Sequence, residues 1–67
     1  MIKFEVGNLV KLLDRTSIHP PHLRNCYGII LLICDHKFLG SNIVHVLVDD
    51  YIFKTYLGSA DYFFDKI

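Results

Sequence analysis

Ile43-Val44-His45-Val46-Leu47-Val48, Asp49-Asp50, Tyr51-Ile52-Phe53-Lys54-Thr55-Tyr56 is the stretch on which the fold turns. Val44, Val46 and Val48 alternate with Ile43, His45 and Leu47, a period of two that belongs to a β-strand. Asp49-Asp50 is tight-turn chemistry. The aromatic and β-branched residues that follow make a second strand. The two strands form a hairpin. On its second arm Tyr51, Phe53 and Thr55 share one face, and Ile52, Lys54 and Tyr56 share the other.

Working outward, Cys26 to Asp35 reads as a strand that is apolar on both faces. Its Ile29, Ile30 and Ile33 favour strand over buried helix, and Gly28 fits a bend or a close backbone approach in a curved sheet. His36 to Asn42 reads as a turn region around Gly40-Ser41-Asn42 that leads into the hairpin. Upstream, Val6 to Leu13 gives a first strand behind the turn residues Gly7-Asn8. Asp14 to Asn25 then reads as a long loop, because Pro20-Pro21 cannot donate ladder hydrogen bonds. Downstream, Leu57-Gly58-Ser59 breaks the fourth strand. Ser59 is placed to cap one helical turn, Ser59 to Tyr62. A last strand closes the chain over Tyr62 or Phe63 to Ile67.

Turn signals at this spacing predict an all-β fold, a five-stranded, partly open barrel with one short helical turn before the last strand. The alternation predicts a core of Val6, Val10, Leu12, Ile29, Leu31, Val44, Val46, Val48, Ile52 and Phe64. The 67 residues allow one domain, 1–67.

The order of elements resembles the SH3-like small barrels. Val6-Gly7-Asn8-Leu9-Val10, Tyr27-Gly28-Ile29-Ile30, Val44-x-Val46-x-Val48-Asp49-Asp50 and Phe63-Phe64-x-Lys66-Ile67 look closest to small barrel proteins encoded by tailed bacteriophages. Two positions depart from that pattern. Val48 stands where a Trp is frequent, and Asp50 where a turn Gly would follow. The resemblance implies the barrel fold and a phage-encoded accessory or virion component, in the host cytoplasm or the virion. It leaves the binding partner open.

Apolar residues make up 52% of the chain, and mean hydropathy is +0.36. A domain this small buries only roughly 60% of its unfolded surface. Some apolar side chains must therefore lie outside, or under another chain. Seven basic and seven acidic residues give a net charge of zero, which lacks the basic footprint of a duplex-DNA binder. No signal peptide is expected at the start, and no apolar run reaches the ~20 residues that span a bilayer. With two cysteines, Cys26 and Cys34, the expectation is a reduced, cytoplasmic protein whose thiols act as small hydrophobes.

The chemical constellations point away from catalysis. Cys26, His45 and Asp49 supply the types needed for nucleophilic chemistry, but so small a barrel has no room for a substrate cavity. His19-x-x-His22-x-x-x-Cys26, with Cys34 and His36 nearby, has the ligand types for zinc. Pro20-Pro21 opposes the tight knuckle zinc ligands favour, so neither metal nor cofactor is expected. Asp49-Asp50 reads as turn residues.

What remains is binding. The loop Arg15 to Arg24 is one candidate, through Ile18, His19, Pro20, Pro21 and His22, and replacing Ile18 to Leu23 by a Gly-Ser linker is expected to leave the fold intact and weaken partner binding. An exposed apolar face, with Leu9, Leu47, Tyr51 and Phe53, is the other. The expected partner is protein, either foreign or self, with a symmetric homodimer as the simplest form. A nucleic-acid-binding barrel of the ribosomal or transcription-factor type is the alternative. It is disfavoured because Lys54 and Lys66 are the only basic residues near the aromatic set.

Overall fold

A computed structural model describes residues 3–36 and 41–67. Five strands form one antiparallel sheet: β1 (Leu9–Leu12), β2 (Tyr27–His36), β3 (Ser41–Val48), β4 (Tyr51–Tyr56) and β5 (Phe64–Lys66). Their order is β4-β3-β2-β1-β5. This is a meander whose last strand returns to the first, the arrangement expected of a small SH3-like barrel. The predicted turn around Gly40 overlaps 37–40, outside the described residues. Its flanks are strand, since His36 pairs with Ser41 and Asp35 with Asn42.

Side chains from opposite ends of the sheet close the barrel. Phe53 on β4 and Phe64 on β5 meet edge to face, with ring centroids 5.9 Å apart. Phe4 adds a second such contact to Phe64 at 6.0 Å. Around them lie Val10, Leu12, Ile18, Leu23, Ile30, Val44, Val46, Val48 and Ala60. Six predicted core residues are therefore in place: Val10, Leu12, Val44, Val46, Val48 and Phe64.

The other four, Val6, Ile29, Leu31 and Ile52, are exposed. Register explains three of them. Residues paired across antiparallel strands share a face. Val46 points inward and pairs with Ile30 and Phe53, so these enter the core. Ile29 and Ile52 both pair with Leu47, on the outside. Leu31 is the extra residue of a β-bulge between Ile30 and Leu32, and both leucines reach solvent there. Val6 lies in the turn before β1, where Asn8 Oδ1 accepts the Glu5 N–H at 2.8 Å, and Phe4 occupies the interior instead.

Leu57-Gly58-Ser59 forms a 3-10 turn that runs directly into the four-residue helix α1 (Ala60–Phe63). Ser59 occupies the N-cap position, but its side chain makes no capping hydrogen bond. Instead the chain is held by Ala60, which is fully buried.

The loop after β1 is packed rather than free. Pro21–Leu23 is a 3-10 turn, and Ile18 and Leu23 are 0% and 1% exposed. Its backbone is tied at both ends. Asn25 N–H donates to Leu12 O and Leu12 N–H to Cys26 O, each at 2.8 Å. Arg24 Nη2 donates to Thr16 O at 2.8 Å.

Candidate interaction surface

The register that fixes the core also assembles the outside. Leu9 pairs with Ile29, Ile29 with Leu47, and Leu47 with Ile52. One apolar residue from each of β1, β2, β3 and β4 thus lies in a single row across the outer face. Leu9, Ile29 and Ile52 are 47%, 40% and 46% exposed, and Leu47 is half-buried between them. The row continues beyond β1 to the end of β5, because Ile67 N–H donates to Leu9 O at 2.9 Å and Ile67 is exposed.

On one side of the row stand Lys11 and Tyr27, a register pair whose ammonium lies 5.9 Å from the ring centroid. On the other stand the bulge leucines, His45 and Lys54, with Leu32 paired to His45 and His45 to Lys54. Cys34, Ile43 and Tyr56 make the row beyond. Four paired strands thereby carry a contiguous apolar surface with lysines only on the flanking strands β1 and β4.

The residues singled out from sequence fall in three places. Leu9 and Leu47 belong to this outer row. His19, Pro21 and His22 are exposed on the loop, with Pro20 half-buried. Ile18 and Phe53 are core and are excluded as contact residues. Tyr51 shares the inner face with Phe53 by pairing with Val48, and reaches solvent beside the hairpin turn. Ile29, Leu31 and Ile52, predicted as core, belong to this surface together with Leu32.

The other constellations disperse. Cys26 packs against the core and its thiol donates to His22 O at 3.2 Å, whereas His45 lies on the outer face. The two thus lie on different sides of the sheet and cannot act as nucleophile and base together. Asp49 takes a positive φ of 56° in the turn closed by Val48 and Tyr51, as a turn former should. Among the described residues, no group of three or more His, Cys, Asp or Glu side chains is placed to hold a metal, and no helix is long and apolar enough to cross a membrane. Both cysteines are free and half-buried.

A second polar feature serves the fold. Arg15 stacks on Tyr62 at 4.5 Å from the ring centroid, and its Nε donates to Tyr62 O at 3.0 Å. This clamps the loop to α1. Arg15→Ala should cost about 2–4 kcal/mol, the sum of one hydrogen bond to a charged donor and one exposed cation–π contact. Urea denaturation measures it, and an unchanged midpoint would show the clamp to be idle. Against known proteins, the chain matches no family model, no curated protein and no solved structure.

Proposed function

We propose that this chain is a non-catalytic interaction or structural module whose working surface is the outer face of β1 to β4. The observation that carries this reading is the outer row Leu9, Ile29, Leu47 and Ile52, in which Leu9, Ile29 and Ile52 are exposed around a half-buried Leu47. Scattered exposed leucines are ordinary, but register-matched ones on four adjacent strands form a patch, and such patches mark interfaces. Charged residues at the flanks and none among the row itself fit the core-and-rim anatomy of protein contacts.

The alternative, single-stranded nucleic acid, would use Tyr27 and Tyr56 for stacking beside Lys11 and Lys54. Lys11 pairs in register with Asp65, which offsets half of that small positive charge. Protein contact is therefore the better fit. The sequence resemblance supports a setting among phage-encoded accessory or virion components.

The test is site-specific photo-crosslinking in the producing cell, with a benzophenone side chain at Ile29 or, as control, at Asp61 on α1. Protein adducts are expected from position 29 and not from 61. Equal labelling from both, or none from 29, refutes the assignment of this face. RNA or DNA adducts from position 29 would favour the alternative.

A further inference from the structure

Resting on that reading, we infer that the occupant of the outer face is a second copy of this chain, related by a two-fold axis running along the row Leu9, Ile29, Leu47, Ile52. Two properties of the face carry this.

The first is area. Leu9, Tyr27, Ile29, Leu31, Leu32 and Ile52, each 40–58% exposed, lie in the row or next to it and form the apolar centre around which a standard interface of roughly 800 Å² per partner is built. No other described surface collects large apolar side chains from four adjacent strands.

The second is self-complementarity, which a foreign partner would not require. A two-fold axis along the row lays each strand over its own copy, running the opposite way. A residue two places before a row residue then faces the residue two places after it. On β1 this sets Lys11 over Gly7 of the partner. On β2 it sets Tyr27 over Leu31. On β3 it sets His45 over Asp49, and on β4 Lys54 over Asp50. No like charges meet. The apolar pair falls at the centre and the polar pairs at the hairpin. His45 can donate to a carboxylate through a ring N–H, and Lys54 and Asp50 form a cross-copy ion pair. Within the single chain the described residues contain one ion pair, Lys3–Glu5 at 3.9 Å, so Lys54 and Asp50 are both available. Sheets packed this way keep their strands aligned, the usual mode for face-to-face packing.

Because the contact is isologous, every substitution acts twice. Sedimentation equilibrium over a concentration series is the measurement, with amide NMR spectra confirming that each variant remains folded. The wild-type chain should be dimeric in the micromolar range. Leu47→Lys should weaken the dimer at least thirtyfold, the loss of a roughly 2 kcal/mol central contact. Lys54→Asp and Asp50→Lys should each weaken it, and the double variant K54D/D50K should restore it, since swapping both charges regenerates the same pair across the axis. A wild-type monomer up to about 100 μM, a concentration that only contacts weaker than micromolar fail to fill, overturns the second copy as occupant. The crosslinks at position 29 then judge the face by itself, and the mass of the adduct separates a foreign protein from a doubled chain. A dimer indifferent to Leu47→Lys overturns the second copy as the occupant of this face, and the crosslinks at position 29 again judge the face. A dimer that responds to Leu47→Lys without rescue by the charge swap overturns the axis.

Discussion

Replacing Ile18 to Leu23 by a Gly-Ser linker should unfold the protein. Ile18 and Leu23 are as deeply buried as any residue of the sheet, and both pack into the cluster around Phe64. Truncating a buried aliphatic side chain to alanine costs about 2–5 kcal/mol, so losing both removes about 4–10 kcal/mol. A chain of this length has a total stability of about 3–10 kcal/mol. The loss is of the same size as the whole. The segment's hydrogen bonds add to it, because Leu23 O accepts the Cys26 N–H at 3.2 Å just where β2 begins. A linker that is flexible at every position also raises the entropy of the unfolded chain. Ile18→Ala alone should lower stability by about 3 kcal/mol. A linker variant with an unchanged urea midpoint would show that the loop is a passenger. The exposed ring atoms of His19 and His22 can be altered without this penalty, so contact studies of the loop should use those positions.

This loop shows where sequence reading stops. Pro20-Pro21 excluded a strand, and from there exposure was a fair inference. Nothing in the local pattern reveals that a loop hangs two hydrophobic anchors into an open barrel end. The signal lay in the composition: a chain with 52% apolar residues and a shortage of inner sheet positions could fill its interior from a loop. The strands were far more legible, because alternation and turn chemistry are local. Even their facing was recoverable in one place. With Val46 and Val48 inward and Asp49-Asp50 as a two-residue turn, Val48 must pair with Tyr51 and Val46 with Phe53. Phe53 then belongs inside and Ile52 outside, the reverse of the alternation chosen from hydrophobicity alone. For β2 no such rule was available. Its apolar residues occupy both faces, and the bulge at Leu31 changes parity halfway along. Once those two assignments are corrected, Ile29 and Ile52 leave the core and join Leu9 and Leu47. The candidate surface was thus half visible from the sequence and completed by register.

The second large effect is expected at Gly28, where β2 crosses the hairpin. Gly28 pairs with Val10 and faces inward, at the centre of the sheet. A Cβ there would stand 2.7 Å from the carbonyl oxygen of Leu47, 2.7 Å from Cγ1 of Val46 and 2.8 Å from Cγ2 of Val48. Two competing effects set the outcome of Gly28→Ala. Among the described residues the positive-φ positions are Gly7, Asn25 and Asp49, not Gly28, so alanine suffers no torsional penalty at 28. It should even gain about 0.4–1 kcal/mol from a less flexible unfolded chain. Against this stands the overlap. The two valine methyls can turn aside only by adopting poorer rotamers in a packed interior. The Leu47 carbonyl is main chain, in the register pair with Ile29, and cannot retreat without separating β2 from β3. Overpacking of this kind costs about 3 kcal/mol, which exceeds the gain severalfold. Gly28→Ala should therefore be destabilised by about 2–3 kcal/mol net in urea denaturation, and Gly28→Val should fail to fold. Adding Val46→Ala to Gly28→Ala removes one methyl contact and leaves the carbonyl. If side-chain crowding dominated, that double variant would be more stable than Gly28→Ala. The backbone contact makes the opposite expectation: the double variant loses a further buried valine and is the less stable of the two.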